Sequence, residues 1–252
     1  MKKIILQKLH EIEEKEHVKI LLAVESGSRA WGFASPDSDY DVRFLYIRSE
    51  EDYLRLDMVR DVIELPISEL LDINGWDLQK ALRLMYKSNP TLFEWLNSPI
   101  VYMETEFADK IRVLMGKYFS TKHSLYHYLS MAEGNYREYL RKDQVRVKKY
   151  FYVLRPVLAC RWILDRGTTP PMCFTELAQA ELPPELRAEV DQLLEIKMHA
   201  PEVKEIPRVD KINEYLERSM REIREEIGKV EESREVLWEE LNEVFLQVLK
   251  KE

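Results

Sequence analysis

Every strand-like run in this chain lies before residue 76, and from there on the apolar residues recur at helical spacing. The order of the two periods restricts the architecture to an α+β chain: a small mixed sheet with helices, then an all-helical part. It disfavours sandwiches and barrels, whose strands recur throughout. Glycine scarcity agrees, since 7 of 252 residues leave little turn chemistry for an all-β fold. A helix is expected over 2–16, with Ile4, Ile5, Leu9 and Ile12 on one stripe. Strands are expected over 17–24, 39–47, 61–66 and 71–75, with a turn-rich loop over 25–38. Asp77 is placed to cap a helix over 78–87 that Asn89-Pro90 ends, and further helices read over 91–97, 106–119, 123–141 and 144–165. The switch of period sets a boundary between Pro99 and Phe107, giving a head over 1–102 and a helical domain over 103–252. From Val209 to Val248 one amphipathic stripe runs for about 40 residues. As one helix it would measure about 60 Å, so a break is expected near Gly228 or Glu232-Ser233. The apolar seam reads as core, or as the contact of a homodimer through these C-terminal helices.

Charge bounds the partners. Lys and Arg number 38 against 46 Asp and Glu, a net charge of −8, so no global positive field draws in a polyanion. A basic patch exists only locally: residues 137–166 hold nine Lys/Arg and three acids. Within it Lys148, Tyr152 and Arg155 follow at i, i+4 and i+7, with Lys149 beside them. That cationic, aromatic helix face suits a triphosphate and base or an RNA backbone; the plainer reading is a solvated helix with its tyrosine in the core. Cys160 and Cys173 form no CxxC pair and read as free thiols of a reducing compartment. No apolar run reaches the ~18 residues of a bilayer span, and no signal peptide reads at the start, so a cytoplasmic protein without a membrane partner is expected. His123 and His127 sit at i, i+4 but lack a third ligand nearby.

The chemistry concentrates in one segment. Gly27-Ser28 follows a buried strand, and ten residues later Asp39-Tyr40-Asp41 opens the next one. In an extended strand, residues i and i+2 share a face, so Asp39 and Asp41 project together. Two adjacent carboxylates repel unless a cation sits between them, and oxygen donors of this kind suit Mg²⁺. The Gly-Ser turn offers backbone N–H groups, a hydroxyl and room for phosphate. Arg29 is placed to meet a nucleotide phosphate or to neutralise Asp37 or Asp39, and Arg43 to bind phosphate or form an ion pair.

The string Gly27-Ser-Arg-Ala-Trp-Gly-Phe-Ala-Ser-Pro-Asp-Ser-Asp-Tyr-Asp-Val-Arg-Phe44 resembles the RNA repair pathway nucleotidyltransferase family (RlaP), within the DNA polymerase β-like superfamily. Asn74–Leu82, Lys87–Pro90, Glu94–Tyr102 and Lys148–Pro156 are similar to the same family, over roughly residues 15–175. The resemblance implies a nucleotidyltransferase domain over 1–102 and a helical domain over 103–252 that clasps substrate and nucleotide. It implies a carboxylate triad that holds two Mg²⁺, with Mn²⁺ as the alternative. Asp39 and Asp41 supply two members; Asp72 is the favoured third and Glu64 the other candidate. Gly27, Ser28, Arg29, Lys148, Lys149, Tyr152 and Arg155 would bind the nucleotide. The implied activity moves a nucleoside monophosphate from an NTP, with ATP favoured, to RNA, a tRNA or a broken end, and releases pyrophosphate. Alternatives are a protein or small-molecule acceptor, or an inactive nucleotide-sensing module.

Overall fold

The computed structural model describes residues 1–66, 70–201, 203–231 and 234–251. In chain order the elements are α1 (Lys2–Glu16), β1 (Lys19–Glu25), α2 (Gly27–Ala30), β2 (Tyr40–Ile47), α3 (Glu50–Tyr53), β3 (Val62–Glu64), β4 (Leu71–Asp77), α4 (Leu78–Tyr86) and α5 (Pro90–Leu96). Next come β5 (Val101–Glu104), α6 (Glu106–Tyr118), α7 (Thr121–Tyr139), β6 (Gln144–Arg146) and α8 (Val147–Arg166). After them follow α9 (Phe174–Glu181), α10 (Arg187–His199), β7 (Glu205–Pro207), α11 (Asp210–Ile227) and α12 (Trp238–Leu249). The fold is α+β, as the order of periods requires. None of the described helices is long and apolar enough to cross a membrane.

Residues cluster into two units, neither of them continuous in sequence. The first holds Met1–Ala30, Asp39–Tyr118 and Arg234–Glu252. The second holds Trp31–Ser38 and Phe119–Ser233. The division therefore does not follow the expected boundary at 102/103: residues 103–118 and α12 belong with the head, and Trp31–Ser38 with the helices.

In the first unit a five-stranded sheet runs in the order β3-β4-β2-β1-β5. Only β2 and β4 are parallel. A parallel pair needs a crossover, and between β2 and β4 the described residues carry α3 and β3, the latter pairing on the outer side of β4. Val42, Phe44 and Tyr46 alternate onto one face and form a core with Ile5, Leu9 and Ile12 of α1. Asp41, Arg43 and Leu45 therefore point to the opposite face. Gly75 sits in register with Phe44, where an added Cβ would lie 2.2 Å from the ring. Asp77 ends β4 and caps α4 through a 2.8 Å bond from the Gln79 N–H, as its position in the sequence implies. The strand β5, which pairs with β1, has no counterpart in the hydrophobic pattern.

In the second unit α8 is the axis, with a nearly unbroken buried run from Tyr150 to Cys160, and α7, α9, α10 and α11 pack on it. Phe33 enters this core against Phe151 and Phe174, at centroid distances of 4.9 and 5.7 Å. The late amphipathic stripe does break: α11 ends before Gly228, whereas Glu232 and Ser233 lie outside the described residues. Its two halves are buried in different units, Ile212, Leu216 and Ile223 in the second and Leu241 and Val248 in the first.

Candidate active site

The parallel pairing of β2 and β4 sets Asp41 and Asp72 in register on one face of the sheet. Between them stands Arg43, whose Nη2 donates to Asp41 Oδ1 at 2.9 Å and to Asp72 Oδ2 at 2.7 Å. Its Nη1 donates to the carbonyls of Asp72 at 2.9 Å and Val42 at 3.1 Å, so the guanidinium is fixed at four points. Of the two candidates for a third carboxylate, Asp72 is the one the fold brings to Asp41. Glu64 lies on the outer strand, exposed, and accepts from Arg60 and from Asn74 Nδ2 at 3.1 Å. Asp39 sits one residue ahead of β2 and is exposed, and its carbonyl accepts from Arg29 Nε at 3.0 Å. The β2 ladder begins at Tyr40, so Asp39 lies just off the paired strand that carries Asp41.

Gly27 explains why the motif needs glycine. Its φ is +59°, and a Cβ there would lie 2.0 Å from Asp41 Oδ2. The next turn, α2, carries Ser28 and Arg29, both half-buried, and the Arg29 guanidinium lies 3.7 Å from the Tyr40 ring centroid. The Ser26 N–H donates to the Asp41 carbonyl at 2.8 Å, tying the turn to β2.

Behind Asp41 lies a carboxylate that hydrophobic patterning assigns to the loop over 25–38. Glu25, fully buried at the end of β1, accepts the Asp41 backbone N–H at 2.7 Å and the Tyr102 hydroxyl. Burial raises its pKa against the pull of both hydrogen bonds. Burial likewise pushes the Tyr102 hydroxyl far above its ordinary value, so it stays a donor. The available signal is an acid closing an apolar strand, Lys19-Ile-Leu-Leu-Ala-Val-Glu25; its partner belongs to β5, which the pattern does not show.

The donor chemistry at Asp41 and Asp72 fits a hard cation. Two carboxylate oxygens already share one positive group, and Mg²⁺ is commonly held by one or two carboxylates, completed by water and substrate phosphate. No set of three His, Cys, Asp or Glu side chains gathers into a metal-holding arrangement among the described residues. Asp41 and Asp72 meet through the strand register and the shared Arg43, and Asp39 makes no third member of such a set.

The residues expected on the basic helix face lie in the second unit on α8. Lys149 Nζ sits over the Tyr139 ring at 3.5 Å and near the Tyr152 ring at 4.8 Å. Lys148, Lys149 and Tyr152 are half-buried. Arg155 corrects the expectation of one open face: it is 2% exposed, stacks 4.7 Å from the Trp31 centroid, and donates Nη2 to Met172 Sδ at 3.5 Å. It follows Lys148 at i+7 on the helix, yet the packing of Trp31 onto α8 seals it. His123 serves its own helix: its N–H meets the capping Ser120 Oγ at 3.1 Å.

A Gly-Ser turn packed against a strand Asp, with a second Asp in register on the parallel neighbour, has the arrangement of a polymerase-β-like nucleotidyltransferase head. The chain belongs to the RlaP family, described as the RNA repair pathway DNA polymerase beta family, whose model matches residues 1–247. It is thus of nucleotidyltransferase type. It is 47% identical over 252 residues to the uncharacterized protein YcgL of Bacillus subtilis (strain 168), across 99% of this chain and 97% of that one. Among solved structures it is similar to a nucleotidyltransferase-like protein from Exiguobacterium sibiricum 255-15. There the identity is 13% and the TM-score 0.32, over 89% of this chain and 75% of that one.

Proposed function

We propose that the protein transfers a nucleoside monophosphate from an NTP, ATP foremost, to RNA, with release of pyrophosphate. The observation that supports this most is the facing pair Asp41 and Asp72 around a shared cationic group beside Gly27. Asp41 and Asp72 would hold Mg²⁺, or Mn²⁺ in its place, and Asp39, one residue ahead of β2, would be the third ligand only if it turned toward them. When bound, the ion supplies charge stabilisation for the transferring phosphoryl group. Gly27 would leave room for the phosphates, and Ser28 and Arg29 would bind them. Asp72 would take the proton of the attacking hydroxyl at Oδ2, once Arg43 lets go of that oxygen. Glu25 and Tyr102 fix the Asp41 backbone from behind. Lys148, Lys149 and Tyr152 offer a nucleotide a charged and aromatic surface; Arg155 supports it through Trp31.

The test is incubation with each α-labelled NTP, Mg²⁺ and total RNA or purified tRNA. Label should pass to RNA with one NTP, and folded Asp41→Asn should lose transfer by several orders of magnitude. Pyrophosphate release without labelled RNA would redirect the reading to a protein or small-molecule acceptor. Turnover retained in Asp41→Asn would remove these carboxylates from the chemistry.

A further inference from the structure

Between α7 and α11, within the helical unit, lies an open groove of about 370 Å³. Tyr136 and Met220, both nearly buried, form its floor. Four arginines line it from two sides: Arg137 on α7 and Arg141 just past its end, Arg221 and Arg224 on α11. Two acids share the lining, and both are engaged. Arg224 donates to Glu133, and the Tyr136 hydroxyl donates to Glu217 Oε1 at 2.6 Å. Arg137, Arg141 and Arg221 enter no ion pair among the described residues, and each is exposed.

Acids do stand among these arginines in the sequence, but those at the groove are already committed: Glu133 to Arg224, Glu217 to the Tyr136 hydroxyl and Glu222 to Arg161. Guanidinium groups bind phosphate bidentately and retain their charge, so arginines from two sides of a groove suit a row of phosphates better than one small anion. The cationic face of α8 is a different surface.

We propose that the α7–α11 groove binds the phosphodiester backbone of a single-stranded RNA through Arg137, Arg141 and Arg221. That the polyanion is RNA rests on the function proposed above; that the groove takes a chain of phosphates rests on the four arginines. It is a positioning site and does no chemistry. It meets phosphate alone, so it reads charge spacing and not base sequence.

The experiment is fluorescence anisotropy of a labelled 20-nucleotide RNA with the full chain, in EDTA so that no divalent ion contributes. The variant R137Q/R141Q/R221Q should bind at least about ten-fold more weakly. Its slope of log K against log salt should be shallower by about 2, from roughly 0.7 for each phosphate no longer neutralised. A control removes three other exposed cations of the same unit, R166Q/R187Q/K204Q, and should leave affinity within about two-fold. Circular dichroism and thermal melting confirm that each variant is folded, and R137K/R141K/R221K, which keeps the charge, should keep the salt slope. If wild type binds RNA through these arginines but transfers no nucleotide, the transfer reading fails and the groove stands. Four results would overturn the groove: no RNA binding by wild type, an unchanged affinity and slope in the glutamine triple variant, equal losses in the control, or displacement of RNA by polyglutamate as effective as by unlabelled RNA.

Discussion

Arg43 holds the place of a cation that two facing carboxylates require, and it is itself only 17% exposed. A divalent ion entering between Asp41 and Asp72 must displace it. Arg43→Met should leave both acids uncompensated and cost about 1–2 kcal/mol in EDTA, less than a fully buried pair because both carboxylates reach solvent. Added Mg²⁺ or Mn²⁺ should then raise Tm more in the variant than in wild type, and calorimetry should show tighter binding of the ion. Equal increments in the two proteins would mean that Arg43 does not compete with metal. Asp77 offers a second single-residue test. Burial raises its pKa, although Tyr53 and the Gln79 N–H both donate to it. Between the ordinary carboxylate value near 3.9 and the raised native one, the folded chain binds more protons than the unfolded. Stability from this group therefore falls as pH rises through that window, and the deficit persists above it. Asp77→Asn keeps the cap and cannot ionise. Its Tm relative to wild type should rise across the window and level off by neutral pH; a constant difference from pH 3 to pH 7 would contradict the assignment. Asp77→Ala should cost about 1 kcal/mol for the missing cap.

The strand β4 shows how one element can serve both packing and site. Its outer residue Asp72 faces Asp41, while three residues on, Gly75 gives Phe44 the space for its ring. Gly75→Ala should destabilise by about 2–3 kcal/mol through overpacking. Adding Phe44→Leu should recover part of that loss, so the two changes are non-additive in denaturant titrations; strict additivity would show that the ring is not the obstacle. Elements with a strong period are legible in the sequence: α1, β1, β2, the capped α4 and the long α7 and α8 fall close to their expected bounds. Short edge pieces are not. The run Val101-Tyr-Met-Glu104 is four residues, mostly half-buried, and it pairs with β1, about 80 residues earlier. The pair β6 and β7 is three residues each, joined across some 60 residues of chain. Such strands exist by pairing and leave little alternation to read. The site follows the same rule. Asp41 and Gly27 are visible as a motif, and Asp72 as an acid before a strand-to-helix turn. Glu25 and Tyr102 are not, because their role depends on β5.

At the scale of the molecule, the signature string does two jobs. Gly27–Ala30 and Asp39–Phe44 build the head, whereas Trp31–Ser38 is held by the helical unit. There the Trp31 carbonyl accepts the Phe174 N–H at 2.9 Å, and the buried Lys197 ammonium donates to Ser35 Oγ at 2.9 Å. Hydrophobic period presents all of 25–38 as one loop, because it says nothing about which core receives a tryptophan. The head is also completed from far away. Trp238 of α12 stacks on Tyr86 at 3.8 Å, the Tyr118 hydroxyl donates to the Leu237 carbonyl at 2.7 Å, and Arg234 donates to the carbonyls of Tyr118 and Tyr86. A chain ending at residue 233 should therefore lose stability in the head first. Hydrogen exchange should rise in α4 and α6 while α8 remains protected; uniform protection would show that α12 is dispensable. This discontinuity also sets an order for synthesis. Residue 118 leaves the ribosome 116 residues before Arg234, on the order of ten seconds at ~5–20 residues per second. During that interval the sheet that bears Asp41 and Asp72 exists without its closing helix, while every residue of the helical unit after Tyr118 is being made. The nascent head must wait, its Tyr86 and Tyr118 surface uncovered, and a chaperone that holds it would have to release it only after the helical unit is complete.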